Sequence, residues 1–150
     1  MGSMFWNAQA FNQYLGTWAG KTPSDVHTGN MLTNSGCPDN DDPDPSVGPW
    51  CQTASMDDYG TSGDTGGDTG ADTLICEGKC TDGRPAVNVN GWGNGGELRT
   101  VISNCHAKNT QCPEALKGID INCWDMSEVT DMRNIFKDAT DFNSPLDCWD

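Results

Sequence analysis

Residues 123–150 read CWDMSEVTDMRNIFKDATDFNSPLDCWD, and the triplet Cys-Trp-Asp that opens this stretch also closes it. The two copies are 25 residues apart. A period in the twenties is typical of stacked repeat units, because a single unit cannot bury its apolar side alone and relies on its neighbours. This stretch therefore predicts a repeat architecture.

A second match joins the two ends of the chain. Residues 1–18 agree with residues 132–149 at a constant offset of 131, with every apolar spacing kept. The alignment gives Met1 an internal repeat position and ends the chain in mid-unit, so we expect further repeats and a signal peptide outside these residues. The structural repeat positions are Phe5, Phe11, Leu15, Trp18, Trp124, Val129, Met132, Phe136, Phe142, Leu146 and Trp149.

The spacing within one unit predicts its secondary structure. Apolar residues recur at three and four residues between 129 and 139, which indicates a short helix beginning near Thr130. The segments 119–124 and 146–149 are short and extended, as one strand of a parallel stack would be. The predicted fold class is α/β, with short leucine-rich-repeat-like solenoid segments at both ends joined by a loop-rich, disulfide-stapled middle.

Three regions follow from this pattern. Residues 1–51 are expected to end a first repeat array, and residues 52–75 to form a flexible Gly/Asp/Thr linker. Residues 76–150 are expected to hold a cap helix, predicted over 97–107 from apolar residues at i, i+3, i+4 and i+7, and the start of a second array. Because such a linker transmits no packing, we expect the two ends to behave independently.

The motif resembles a known repeat. WDMSEVTDM at 124–132, followed by apolar residues at 135, 136, 139, 142 and 146, resembles the repeat of BspA-like leucine-rich-repeat surface proteins. MFWNAQAFNQYLGTW at 4–18 looks like the second half of that repeat, whereas 37–95 is not covered. The resemblance implies an extracellular or cell-surface protein that serves adhesion and protein binding, with no catalytic residues to carry over. Cysteines before the tryptophans suggest a disulfide-adapted variant.

Charge and hydropathy narrow the possible partners. The chain has 22 acidic and 8 basic residues and a formal net charge of -14, which disfavours binding to a phosphate backbone. No stretch approaches the apolar length of a membrane span. The expected partners are other proteins, extracellular matrix or cell-surface ligands, and neither nucleic acid nor a membrane span is expected.

An even number of cysteines in a short acidic chain favours disulfides and an oxidising compartment. One bridge, between Cys37 and Cys51, is predicted to close the loop that ends the first array. Zinc is the alternative, but the spacings lack the paired C-x2-C pattern typical of zinc sites. The disulfide candidates are Cys37, Cys51, Cys76, Cys80, Cys105, Cys112, Cys123 and Cys148.

Acidic clusters are the candidate metal ligands. Asp64, Asp68 and Asp72 recur every four residues among glycines, and four more aspartates lie between 39 and 44. Carboxylate oxygens are ligands that calcium prefers, so calcium is the candidate metal here, and no other cofactor is expected. Neither loop has EF-hand spacing, and a solvated linker is the favoured interpretation.

Catalytic motifs are weak. GWGNGG at 91–96 fits G-x-G-x-x-G, but a flexible turn into the cap helix explains it better than a dinucleotide site. His27 and His106 are the only histidines, and no nucleophile has a local base. We therefore predict a non-enzymatic surface or secreted contact protein whose tryptophans pack in the core. The alternative is an accessory region, binding calcium or carbohydrate, of a larger secreted enzyme.

Overall fold

The computed structural model describes residues 1–19, 21–48, 50–51, 76–89, 92–107 and 111–149. Helix α1 spans Trp92–His106, a helical turn covers 76–79, and two 3-10 helices span Gly16–Trp18 and Ile121–Cys123. Most other described residues lie in turns or irregular loops. Strand-like pairing within these ranges is limited to isolated bridges, which join Tyr14 to Cys51, Asp44 to Gly48 and Ala86 to Asp125.

The predicted α/β solenoid is wrong, because the described residues contain neither a sheet nor alternating helices and strands. The helix expected from Thr130 is replaced by turns over 133–138. Asn134 and Asp138 have φ of 59° and 60° there. This left-handed conformation, which Asn and Asp tolerate better than most residues, interrupts a right-handed helix.

The strands expected at 119–124 and 146–149 are also wrong. The Trp124 amide donates to the Ile121 carbonyl oxygen at 3.2 Å, and the Trp149 amide donates to that of Leu146 at 3.3 Å. Each tryptophan therefore closes a tight turn, and the first of these turns is the 3-10 helix Ile121–Cys123. The apolar periodicity marked buried positions correctly and gave the wrong backbone conformation.

The cap helix is confirmed over 97–106, and it begins five residues earlier than the pattern indicated. Its apolar spacing gives one buried face, because Leu98 and Ile102 are buried and Val101 and Cys105 pack partly buried against the same core. No described helix has the length and apolar content to cross a membrane.

Three turn-rich segments lie side by side in register. We call them the inner segment (132–149), the middle segment (1–18) and the outer segment (28–36), and together they form the stack. The Phe136 amide donates to the Met4 carbonyl oxygen at 3.0 Å, and the Phe5 amide donates to that of Met31 at 2.9 Å. Bonds of the same kind join 134 to 2, 138 to 6, 3 to 29 and 7 to 33.

The backbone conformation also recurs across the stack. Each segment has a left-handed residue at two matching positions. The first position is held by Ser3, Asn30 and Asn134, and the second by Asn7, Asn34 and Asp138. Because φ at all six positions lies between 53° and 60°, the three segments turn in the same way. The outer segment thus follows its neighbours, although its sequence match to them is weak.

The two ends of the chain are not independent. One hydrophobic core contains residues of the middle segment, the inner segment, the outer segment and helix α1. The expected independence is therefore wrong, since the two ends pack directly on each other. The proposed boundaries at 51 and 75 stay predictions, and the linker 52–75 lies outside the described residues.

Four disulfides use all eight cysteines, namely Cys37–Cys51, Cys76–Cys148, Cys80–Cys123 and Cys105–Cys112. The predicted Cys37–Cys51 bridge is confirmed. Cys76 and Cys80 stand one helical turn apart, on the same side of the turn 76–79. Their partners are 25 residues apart, so this turn ties together two successive copies of the repeated triplet.

Candidate binding site

The aromatic positions of the predicted repeat form the centre of the stack. Ring centroids are 5.2 Å apart for Phe5 and Phe136, 6.0 Å for Phe11 and Phe142, and 6.3 Å for Trp18 and Trp149. Each of these pairs is stacked with an interplanar angle below 10°. Trp18, Trp124 and Trp149 are all buried, at most 4% exposed, as core packing predicts.

The other predicted repeat positions are also buried or partly buried. Leu15 and Leu146 are fully buried, Met132 is buried, and Val129 packs partly buried against the core. Their contribution is burial of apolar surface, which stabilises the fold by roughly 1.5–3 kcal/mol for each fully buried side chain.

Two tryptophans hold neighbouring turns together through their indole N–H groups. Trp149 Nε1 donates to the Ile121 carbonyl oxygen at 2.7 Å, and Trp18 Nε1 donates to that of Leu146 at 3.1 Å. Trp124 occupies the corresponding place in the first turn, but its buried Nε1 has no hydrogen-bond partner. Tryptophans at equivalent repeat positions therefore differ: the indole N–H is hydrogen-bonded at Trp18 and Trp149 and has no partner at Trp124.

A cavity of about 590 Å³ lies beside Trp124. Helix α1 lines it with Ile102 and His106, and the turns before Trp124 line it with Leu116 and Ile119. The cap helix and the residues before Trp124 thus line this cavity together.

A second cleft, of about 360 Å³, lies on the stack. Apolar side chains that line it include Trp18, Trp149, Val26 and Val129, and polar residues that line it include Lys21 and Thr130. The inner and middle segments contribute to this lining, together with the residues that precede the inner and outer segments.

Charged groups stand next to this cleft. The Arg133 guanidinium donates two hydrogen bonds to Asp131 Oδ2, at 2.6 and 3.1 Å, and holds the pKa of that carboxyl below its ordinary value. Burial lowers the pKa of the Met1 α-amino group, and the nearby Asp131 charge acts in the opposite direction. The charged groups at the cleft therefore include one local ion pair, one partly desolvated amine and Lys21, which lines the cleft.

Of the two acidic clusters proposed as calcium ligands, only the one between 39 and 44 lies within the described residues. Asp64, Asp68 and Asp72 lie outside the described residues. In the other acidic loop, carboxylate oxygens of Asp39 and Asp42 accept backbone N–H groups, from Asp41 at 2.9 Å and from Met31 at 3.2 Å. Both carboxylates therefore accept hydrogen bonds from backbone amides of the same chain.

A single group of potential ligand atoms within metal-binding distance occurs in the described ranges, and it comprises Cys76, Asp147 and Cys148. Its two sulfur atoms form a disulfide with each other, so no thiolate is present there to bind a metal. Asp147 instead accepts a hydrogen bond from Lys79 Nζ at 2.9 Å.

Of the candidate catalytic features, His106 lines the cavity beside Trp124. Gly91 lies outside the described residues, and the remainder of the G-x-G-x-x-G match forms the first turn of α1. The stretch before it is not a strand, although the Val87 amide donates to the Asp125 carbonyl oxygen at 3.0 Å. His27 Nδ1 accepts the Gly29 amide, and His106 lies in the last turn of α1, as expected.

An exposed polar row crosses the stack, and sequence reasoning missed it. Asn34 Nδ2 donates to Asn7 Oδ1 at 2.6 Å, and Asn7 Nδ2 donates to Asp138 Oδ1 at 3.0 Å. Beside this amide ladder, Trp6 is 39% exposed and the Lys137 ammonium lies 4.1 Å from its ring centroid. The 131-residue offset pairs Asn7 with Asp138 and was the signal available for finding this contact.

Comparison with known proteins gives one match. A family model described as "Mycoplasma protein of unknown function, DUF285" matches residues 1–40 and 102–150, which together make up more than half of the chain. No curated protein and no solved structure matches it. The matched residues include the inner, middle and outer segments, and they exclude the Gly/Asp/Thr-rich stretch.

Proposed function

The chain belongs to the DUF285 family, and on that premise we propose that it is a non-catalytic protein of the cell surface or extracellular space that binds other proteins or matrix. The family is one of unknown function, so the proposal depends on the chemistry of the described surface. The finer relationship to BspA-like surface proteins, which resemble the 124–149 motif, is part of the same proposal.

The observation that carries the proposal is the exposed row formed by Trp6 and the amide ladder. Exposed tryptophans are uncommon, and tryptophan is enriched among residues that dominate binding energy at protein interfaces. The ladder holds Asn7 between Asn34 and Asp138, so these polar groups are ordered before a partner arrives. Such preorganisation lowers the entropy lost on binding.

The disulfides support a location at the cell surface or in the extracellular space. All eight cysteines are paired, and two bridges close long loops with sequence separations of 72 and 43 residues. Disulfides of this kind persist in oxidising compartments and are rare where thiols are kept reduced. Export therefore fits the covalent structure better than residence in a reducing cytosol.

The proposal is tested by binding measurements on the oxidised protein. We expect saturable binding to at least one member of a panel of immobilised extracellular matrix proteins, and a loss of about tenfold or more in affinity for Trp6→Ala. Val47→Ala is the control, since Val47 is 81% exposed and lies outside the ladder. Binding that is insensitive to Trp6→Ala, or its absence across the panel, would contradict the proposed contact surface.

A further inference from the structure

The repeat tryptophans indicate the direction of the Trp124 indole N–H. Trp18 Nε1 donates to the Leu146 carbonyl oxygen, in the turn of the inner segment that ends at Trp149. Trp149 Nε1 in its turn donates to the Ile121 carbonyl oxygen, in the turn that ends at Trp124. Each indole thus reaches the neighbouring turn on the side of α1. By the same geometry the Trp124 N–H points away from the stack, where no described residue accepts its hydrogen bond.

The cavity of about 590 Å³ lies on that side of Trp124. Helix α1 and the chain between 112 and 121 line it, together with Trp124 itself. Its volume falls within the range of about 300–1,000 Å³ that is typical of small-molecule sites. A buried donor without a partner therefore borders a cavity large enough for a ligand.

The buried part of the lining is apolar. Ile102, Leu116 and Trp124 are at most 5% exposed, and Cys112, which is also buried, forms a disulfide with Cys105. Among these buried lining residues, Trp124 therefore supplies the side-chain hydrogen-bond donor. A ligand that accepts this hydrogen bond offsets the free energy that an unpaired buried donor costs.

The polar part of the lining is exposed or half-buried, and it consists of the side chains of His106, Lys117, Asp120 and Ser144. Lys117 is already paired with Glu114 at 3.0 Å, and Asp120 Oδ1 accepts the Asn122 amide at 2.9 Å. The formal net charge of -14 disfavours an anionic ligand. A cation is disfavoured by the apolar buried lining and by the N–H donor. The chemistry of the cavity therefore favours an uncharged ligand.

We propose that this cavity binds a small uncharged molecule with an apolar body and one carbonyl oxygen. The body packs against Ile102 and Leu116, and the carbonyl oxygen accepts the Trp124 indole N–H. Nothing in this inference depends on the exposed surface of Trp6 and the amide ladder, so it goes beyond the proposed function and does not rest on it.

The probe is acetophenone, which joins a benzene ring to one carbonyl group, and its matched control is ethylbenzene, which lacks the oxygen. Both are titrated into the oxidised protein while nitrogen-edited NMR spectra follow the indole N–H resonances, identified by sequential assignment. We expect acetophenone to shift the Trp124 indole proton downfield saturably, because a new hydrogen bond deshields it. The indole protons of Trp18 and Trp149 are already hydrogen-bonded and should move little, and ethylbenzene should not produce the downfield shift.

The ratio of the two affinities isolates the hydrogen bond. Trp124→Phe removes the donor and changes the shape of the cavity for both probes alike, so the affinity for acetophenone relative to ethylbenzene should fall about fivefold. Ile119→Trp places a larger side chain in the lining and should abolish binding of both probes. Val47→Ala is the control, since Val47 is 81% exposed and lies outside the lining, and it should change neither affinity.

Circular dichroism and a count of disulfides by mass spectrometry establish that the variants fold, and if one does not, the titration of the unaltered chain decides the question. A Trp124 indole resonance that acetophenone leaves unchanged up to its solubility limit overturns the proposal. An affinity ratio that is the same in Trp124→Phe also overturns it, since the carbonyl oxygen is then not recognised by this donor. A nuclear Overhauser effect between the Trp124 indole proton and a water that acetophenone does not displace would assign the donor to that water and overturn the site.

Discussion

The stack and the cap are stabilised by different means. In the stack, defined by 132–149, 1–18 and 28–36, rings overlap at the 131-residue offset and backbone amides bond across segments. In the cap, formed by 76–89, α1 and 111–124, two bridges, Cys105–Cys112 and Cys80–Cys123, lie within the region. The bridge Cys76–Cys148 joins the cap to the inner segment of the stack.

The difference shows what a repeat supplies to its neighbours. Each tryptophan turn provides a carbonyl oxygen for the next, since Ile121 of the cap accepts from Trp149 and Leu146 of the stack accepts from Trp18. Among the described residues no group accepts from Trp124, whose buried indole N–H has no partner. Helix α1 and the disulfides cover that end instead, with a cavity of about 590 Å³ between them.

The largest expected effect is in the centre of the stack. Phe136 is 1% exposed and stacks on Phe5 and on Phe142, so Phe136→Ala should lower the free energy of unfolding by about 3–5 kcal/mol. Leu116→Ala in the cap should cost about 2 kcal/mol, the low end for a buried leucine, because Leu116 borders the cavity. Urea unfolding measures both, with Val47→Ala as the control. Equal losses at the two sites would mean that the cap is packed as densely as the stack.

The disulfides are expected to rank by the length of loop they close. Replacing Cys76 and Cys148 by alanine should cost about 4 kcal/mol, since their separation of 72 residues leaves the unfolded chain much freer. Replacing Cys105 and Cys112, separated by 7 residues, should cost about 2 kcal/mol. The measurement is urea unfolding of both double variants under non-reducing conditions. The reverse ranking would show that folded-state contacts, rather than chain entropy, govern these bridges.

The sequence predicts burial in the stack far better than it predicts backbone conformation. The 131-residue offset identified Phe5 and Phe136 as one pair of equivalent positions and Trp18 and Trp149 as another, and all are buried. The same periodicity suggested a helix because three- and four-residue spacings also arise when tight turns follow one another. Asn134 and Asp138, which tolerate a positive φ, were the residues that favoured turns.

Contacts between distant parts of the chain were harder to predict. The offset implied that residues 1–18 and 132–149 have similar structures, but similarity alone does not say that they touch. The pairing of Cys76 with Cys148 and of Cys80 with Cys123 likewise depends on where the turn 76–79 lies. One clue was present, because cysteines four apart on a helix match cysteines one repeat apart.

A smaller difference in the free energy of unfolding is expected between substitutions in the two tryptophan environments. Trp149→Phe removes the hydrogen bond to the Ile121 carbonyl oxygen, whereas Trp124→Phe removes a donor that has no partner. The loss of ring volume is the same, so Trp149→Phe should be the more destabilising by about 1 kcal/mol. Thermal or urea unfolding of the two variants gives this difference. If Trp124→Phe proves equally costly, its indole N–H is satisfied in solution and the contrast between stack and cap is weaker than described.

The smallest expected effect concerns two aspartates, one at each region. Hydrogen bonds from Ser127 lower the pKa of Asp125, whose backbone is hydrogen-bonded to Pro85 and Val87 of the cap. A hydrogen bond from Arg133 lowers the pKa of Asp131 beside the cleft. A carboxyl whose pKa is lowered by folding adds stability that is complete above its ordinary pKa of about 4 and is lost as the pH falls through the folded pKa.

Carbon-detected NMR titration should therefore find that Ser127→Ala raises the pKa of Asp125 alone and that Arg133→Ala raises that of Asp131 alone. Ser127→Ala should act only partly, because the Ser127 backbone amide still donates to Asp125 Oδ1 at 3.0 Å. Each variant should also make the loss of stability below about pH 4 shallower, since less of the carboxyl's preference for ionisation remains. A change in both pKa values from one substitution would mean that the charges of cap and stack are coupled, and that the two regions respond to acid as one unit.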